Sequence, residues 1–298
     1  MNKSKLILTL FLLFSTLTHA SDIFVAELTP FNGFVKLSHI NNITFRPGYD
    51  NQPHFSSNGD GLFFTSMLNN DGKDQTDTMY YSFASKSLKN ITNTKNVSEY
   101  SPTPIYGDAA LSMIIVEPDG VQRLWQTQIK TKAQTLINKT LKPIGYHAWG
   151  KNSDLVLFVL GEKMTLQYIE TPDQSETKII DEDIGRSLRY NKSKDIFTYT
   201  KGTERQTLHV FNPLRQSKQN LLPLPGKSEY YTWLNDNQVI SASGTTIYIW
   251  NYDNSGQAKE HDWMPLADLS QYCSTEITRL AVDNQQQKLA FVCEEEKI

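Results

Sequence analysis

One strand–turn–strand unit recurs along this chain, and the recurrence limits the possible folds more than any other feature. Its clearest copy is Gly48–Ser66, GYDNQPHFSSNGDGLFFTS. A short strand (Gln52–Ser56) enters a polar turn (Ser57-Asn58-Gly59-Asp60) and leaves as a second strand (Leu62–Ser66). The turn residues accept left-handed or Asx-turn geometry, and aromatic and β-branched residues flank them. Comparable segments begin near Ser101, Tyr146, Ser187, Tyr231 and Thr278. Their anchor positions are Phe55, Pro104 or Ile105, Trp149, Tyr190, Trp233 and Leu280. These stand roughly 40 to 50 residues apart, the length of one four-stranded propeller blade.

Third and fourth strands complete each unit. Blade one continues with Thr78–Phe83 and Leu88–Thr92, blade two with Arg123–Gln128 and Ala133–Ile137. Blade three adds Thr165–Ile169 and Thr177–Ile180, blade four Thr207–Phe211 and Gln219–Leu222, blade five Thr246–Trp250 and Glu260–Met264. Blade six has only Ile277–Val282 and Lys288–Cys293 at the C-terminus. Its other two strands are expected near the N-terminus, at Asp22–Leu28 and Phe34–His39. The expected fold is therefore all-β: a six-bladed β-propeller of four-stranded antiparallel blades over 21–298. N-terminal strands pairing with C-terminal strands close the ring and remove an exposed edge.

The first twenty residues read as a leader. Lys3 and Lys5 precede an apolar run, Leu6–Phe14, and Thr18-His19-Ala20 places small residues before a cut. This is the pattern of a signal peptide over 1–20, cleaved near Ala20, which predicts a periplasmic or secreted protein. The run is too short to span a bilayer, and no later stretch is apolar enough, so no membrane span is expected. The formal net charge is −3. Loss of the two leader lysines leaves 27 basic against 32 acidic residues, a net of −5. Such a chain has no basic footprint for nucleic acid. A monomer is expected.

Cys273 and Cys293 are the only cysteines. In an exported chain an even pair suggests one disulfide closing a loop of about 20 residues, with two buried thiols as the other reading. Their spacing fits no zinc motif.

The segments PHFSSNGDGLFFTS, ITRLAVDNQQQKLAFV and DIFVAEL…GFVKLSHI resemble the repeat of TolB-type β-propellers: anchor, S-P-D-G turn, apolar strand, then a D-I-Y-V-like strand. The resemblance runs over essentially all the mature chain. It is loose in blades two to five, where the turn reads IYGD, GKNS, NKSK and LNDN. TolB itself carries an α/β domain ahead of its propeller. Here the N-terminal strands are expected to be spent on blade six. The resemblance therefore implies the fold and an exported location rather than TolB's own lipoprotein-binding role.

Loops connecting fourth to first strands and second to third strands share one face of such a ring, the usual ligand face. Five of the six fourth-to-first loops carry a Tyr before the anchor strand: Tyr49, Tyr100, Tyr146, Tyr230 and Tyr272. The same loops supply Asp50, Glu99, His147, Arg186, Glu229 and Arg279, whereas the opposite face reads as plain Ser/Asn/Lys/Asp turns. Each Tyr could simply pack between blades with its hydroxyl on a loop carbonyl. Taken together, aromatic faces and a few charges suit a protein, peptide or envelope glycan held at the channel mouth. The candidate ligand-binding set is thus Tyr49, Asp50, Glu99, Tyr100, Tyr146, His147, Arg186, Glu229, Tyr230 and Arg279.

A catalytic alternative uses the same mouth. If Asp50, Glu99, His147 and Glu229 converged, carboxylates and an imidazole could hold a hard metal for a lactonase-like or glycan-lyase-like hydrolase or lyase. A lone His in such a loop is more often hydrogen-bonded structure, and neither a metal nor another cofactor is expected. No G-x-S-x-G elbow occurs. Asn69–Asp74 superficially resembles a calcium loop but lacks the ligand spacing and closing Glu, and reads as a long exposed hairpin connection.

Overall fold

The computed structural model describes residues 20–70, 73–173, 176–253, 255 and 257–295. The expected leader lies outside them except for Ala20, which opens the first strand. That strand, β1 (Ala20–Phe31), pairs with β2 (Phe34–Asn42). Blade one follows with β3 (Asp50–Phe55), β4 (Gly61–Asn70), β5 (Lys73–Ser82) and β6 (Ser87–Asn90). Blade two holds β7 (Ser98–Ile105), β8 (Ala110–Val116), β9 (Gln122–Gln128) and β10 (Gln134–Leu136). Blade three holds β11 (Ile144–Trp149), β12 (Leu155–Val159), β13 (Thr165–Ile169) and β14 (Lys178–Glu182). Blade four holds β15 (Ile184–Asn191), β16 (Ile196–Lys201), β17 (Thr207–Asn212) and β18 (Ser217–Pro223). Blade five holds β19 (Tyr231–Trp233), β20 (Gln238–Ser243), β21 (Thr246–Asn251) and β22 (Met264–Asp268). Blade six joins β23 (Glu276–Val282) and β24 (Lys288–Glu295) to β1 and β2.

Six four-stranded antiparallel sheets result. The ring is closed by β1 lying antiparallel to β24 from Ala20↔Glu295 to Glu27↔Lys288. Within the same blade Cys273 and Cys293 form a disulfide, with Cα atoms 5.4 Å apart. Among the described residues no helix is long and apolar enough to cross a membrane.

The core is divided into six clusters, one between each pair of neighbouring blades. Successive side chains of a strand point to opposite faces. In β4, Phe64 packs towards blade six with Ile23 and Val292, while Phe63 packs towards blade two with Leu111 and Met113. In β12, Leu157 packs on Ile114 and Leu124, and Val156 on Leu188 and Phe197. Both faces of the second strands are buried, so these strands read as largely apolar runs with a few buried Ser and Thr, and Leu155–Val159 as a wholly apolar one. Polar bonds reinforce the stacking: the anchor Trp149 indole donates to Ser112 Oγ (2.8 Å) and the anchor Trp233 indole to Thr198 Oγ1 (3.1 Å), each on the preceding blade.

Two sequence expectations are corrected. The fourth strand of blade five is Met264–Asp268, not Glu260–Met264, and Glu260–Asp262 is a 3-10 turn. Trp263 ends that turn by burying its ring and donating to the Pro223 carbonyl (2.9 Å), and this delays the strand. The Asn69–Asp74 segment is not a long exposed connection, because β4 and β5 pair out to Asn70↔Lys73. Gln75, Thr76 and Asp77 are buried against blade two, with Thr76 Oγ1 donating to the Glu99 carbonyl at 2.9 Å.

Candidate functional site

Irregular pairing builds the site. The first strand of a blade lines the channel, and in five blades its register against the second strand slips by a bulge. A bulge leaves residues unpaired and re-aims their side chains. The slips fall at Asn51/His54, Tyr100/Thr103, Ile144/Tyr146, Ile184/Leu188 and Thr278/Leu280. They release Gln52, Ser101, Arg186 and Arg279 from the regular pleat. Gln52, Ser101 and Arg279 take positive φ values of 56°, 54° and 33°, a region that non-glycine residues seldom occupy and that marks stored strain.

Tyr49, Tyr146, Arg186, Glu229, Tyr230 and Arg279 come together around a mouth cavity of about 680 Å³. Arg279 is its centre. Its guanidinium sits 4.2 Å from the Tyr230 ring centroid and 4.9 Å from that of Tyr146, and it donates to the Tyr146 hydroxyl at 2.9 Å. Burial pushes the Tyr49 and Tyr230 phenols up, against the pull of the Arg279 charge, so both stay neutral donors and acceptors at physiological pH. Arg186 is exposed and faces Glu229 and Tyr230, whose charge and hydrogen bonding favour its cationic form against partial burial.

The mouth continues into the central channel, a cavity of about 450 Å³ that shares Tyr146, Arg186 and Arg279 with it. Arg189 stands further down β15, donating to the Leu188 and Leu280 carbonyls at 2.9 and 3.0 Å. Trp149, Trp233, His54 and Gln52 also line this channel. His54 is exposed to the channel, and desolvation by the surrounding wall holds its imidazole below the ordinary range.

Four candidates do not join the mouth. Asp50 is fully buried, bonded at 2.5 Å by Arg46, with its second oxygen unpartnered; burial raises its pKa against the Ser66 and Arg46 contacts. Glu99 is fully buried between blades one and two. Its Oε2 takes the Thr78 amide and hydroxyl, both at 3.2 Å, and Oε1 takes Thr94 Oγ1 at 3.1 Å. Desolvation, with the charge of Asp77 nearby, pushes Glu99 up to about 7. Tyr100 packs on the core shared by blades two and three. His147 reaches the channel wall, but its Nε2 lies 2.7 Å from Ser112 Oγ, and burial pushes it down to about 3. A metal set of Asp50, Glu99, His147 and Glu229 therefore does not form, and no cluster of three or more potential ligands exists among the described residues.

The sequence reading missed Arg189, which sits in an otherwise ordinary strand. No local signal marked it: Arg186 and Lys192 stand three residues to either side, a spacing that fits no strand period. The opposite face is also less plain than its turns suggested: Phe31 and Tyr106 are 61% and 65% exposed there.

No protein-family model matches the sequence, and no curated protein matches it. Solved structures share its fold. The structure assigned to TolB from Agrobacterium tumefaciens superposes with a TM-score of 0.68 at 10% identity, covering 93% of this chain and 99% of that one. A nidogen/laminin complex contains a chain that superposes at 0.62 with 10% identity, covering 92% and 98%. A gluconolactonase from Xanthomonas campestris superposes at 0.63 with 8% identity, covering 91% and 95%. At such identities the likeness is one of fold, a TolB-like six-bladed propeller, and fold alone does not give function.

Proposed function

We propose that this chain is an exported, periplasmic propeller that docks a protein, peptide or envelope glycan at the mouth bounded by Tyr49, Tyr146, Arg186, Tyr230 and Arg279. A leader ending near Ala20 directs it there, and 21–298 is the working domain. The observation that carries the reading is the Arg279 guanidinium held between the Tyr146 and Tyr230 rings at a bulge with positive φ. Strain of this kind persists where the surroundings enforce it, and it is concentrated at functional sites. Tyr and Arg are also the side chains that dominate binding energy when clustered. The folds shared with a nidogen/laminin complex and with TolB support a binding role by analogy.

The metal-assisted hydrolase or lyase reading draws on the fold shared with a gluconolactonase. Against it, the acids that would serve as ligands are dispersed: Asp50 on Arg46 and Glu99 in an inter-blade core.

The test is capture from native cell envelope using the purified mature chain, with Tyr230→Ala and Arg186→Ala at the mouth and Phe31→Ala on the opposite face. Mouth variants should lose the captured partner by a hot-spot amount, roughly 2 kcal/mol, while the Phe31 variant keeps it. Capture that survives both mouth changes and fails only with Phe31→Ala would move the site to the other face. Stoichiometric divalent metal in the purified protein would favour the catalytic reading.

A further inference from the structure

The channel below the mouth has an unusual charge composition. Arg186, Arg189, Lys192 and Arg279 line it, and among the described residues no Asp or Glu does. This occurs in a chain whose overall charge is negative. None of the four forms an ion pair with a carboxylate among the described residues; the nearby acids Glu229, Glu276 and Glu294 line the mouth above, where Glu229 faces Arg186. Arg189 is tied only to the Leu188 and Leu280 carbonyls and Thr232. The Leu280 carbonyl follows Arg279 in sequence, so the two guanidinium-bearing residues are neighbours across the channel. Each feels the other's charge, and burial together with that repulsion lowers the pKa of Arg189. Arg279 makes one side-chain hydrogen bond, to Tyr146, leaving most of its N–H donors without a protein acceptor.

Two adjacent half-buried guanidinium groups without a paired carboxylate are unfavourable, since charges withdrawn from water are ordinarily paired. An incoming anion would supply the missing partner, and a planar carboxylate matches the guanidinium fork in two-point fashion. The remaining wall mixes apolar side chains such as Pro53, Leu188, Trp149 and Trp233 with neutral polar ones such as Gln52 and Asn284. Gln52 and Asn284 could serve peptide amides as well as hydroxyls, and the proline, leucine and indole surfaces suit the small apolar side chains of a peptide end, so a peptide carboxylate is favoured over a sugar acid.

We propose that the channel receives the carboxylate of a peptide chain end, held between Arg189 and Arg279, as the deep part of the ligand that the mouth docks. This rests on the binding reading of the mouth for its setting but is tested apart from it. The probes are acetyl-Ala-Leu-Gly with a free C-terminal carboxylate, the same peptide amidated, and galacturonate. Each is titrated into the folded mature chain in chloride-free buffer, with indole fluorescence as the readout because Trp149 and Trp233 line the channel. The free acid should bind saturably and at least about tenfold tighter than the amide, the worth of one charge-assisted pair. Arg279→Gln should abolish the preference for the acid, weakening the acid at least about tenfold more than the amide, and Arg279→Lys should fall between. Arg189→Gln should act alike. If that half-buried substitution prevents folding, the Arg279 pair, checked by melting temperature, still decides. Equal binding of acid and amide, no saturable binding, displacement of the acid by chloride at equimolar concentration, or binding of galacturonate alone each overturns the proposal. Loss of partner capture by mouth variants reports separately, so the channel can fail while the mouth stands.

Discussion

The Arg279 guanidinium lies 4.2 Å above the ring of Tyr230 and simultaneously donates to the Tyr146 hydroxyl at 2.9 Å. Blade three, the loop into blade five and blade six thus meet at a single cation. Tyr146 belongs partly to the core, where its ring meets Phe158 edge-on at 5.5 Å, whereas Tyr230 is held mainly at the rim. The two tyrosines should therefore respond differently to truncation. Tyr146→Ala should cost roughly 3 kcal/mol, as aromatic deletions from cores do. Tyr230→Ala should cost about 1 kcal/mol, the scale of a cation–π contact at a partly exposed site. Tyr146→Phe, which removes only the hydroxyl, should cost about 1 kcal/mol. A double-mutant cycle with Arg279→Met should show coupling of similar size. Strict additivity in urea melts would mean that the contact contributes nothing.

The Cys273–Cys293 bridge closes a separation of 20 residues beside the seam of the ring. A loop of that length corresponds to about 3 kcal/mol of stabilisation. The oxidised, denatured protein should titrate no free thiol, and reduction should lower the melting temperature. Paired Cys→Ser substitution should reproduce the lowered value. Two titratable thiols in freshly isolated protein would refute the pairing.

How far the sequence could be read depends on where the physics is local. The propeller was legible because its second strands, such as Leu155–Val159, are buried on both faces and so are mostly apolar. The closing strand Asp22–Leu28 was legible for the same reason: Ile23 and Val25 face blade one, while Phe24 and Ala26 face blade five. The site was only half legible. Tyr49, Tyr146, Arg186, Glu229, Tyr230 and Arg279 gather as the loop positions suggested, but Asp50, Glu99, Tyr100 and His147 turn inward or sideways. One bulge residue decides which way a strand-entry side chain points, and a one-residue slip reverses it. Sequence pattern does not mark such a slip when the residue is Gln52, Ser101 or Arg279 rather than glycine. Arg189 went unseen because nothing local distinguishes a channel-lining arginine from one on a solvated face.

Ring closure makes a blunter prediction. Strand β1 supplies Ile23 and Val25 to one inter-blade core and Phe24, Ala26 and Leu28 to the next. Deleting Ser21–His39 should therefore open two interfaces and expose the edge of β24, giving an insoluble chain. A soluble truncation with one cooperative melt would show that blade six does not need its N-terminal strands.

Glu99 gives the most specific pH prediction. It is fully buried beside Asp77, and its partners are the Thr78 amide and the hydroxyls of Thr78 and Thr94, with Asn90, Thr94 and Gln75 serving Asp77. Desolvation, reinforced by the negative charge of Asp77, moves Glu99 from 4.5 up to about 7. The folded state then holds a proton that the unfolded chain releases near 4.5. This group's contribution to stability is full below that pH and declines as pH rises through about 7, on the order of 3 kcal/mol in all. Glu99→Gln keeps the shape and fixes the neutral form. Relative to wild type, the variant should be equally stable near pH 4.5 and progressively more stable towards pH 8. The measurement is the difference in unfolding free energy at several pH values across that range. Taking the difference matters because His147, pushed down to about 3, works in the opposite sense: its contribution is lost as pH falls from 6.5. That loss occurs in both proteins and cancels, whereas the Glu99 effect does not. A constant difference across the range would mean that Glu99 is ionised in the folded protein throughout. A variant that is less stable at every pH would mean that the charged carboxylate is needed between the blades.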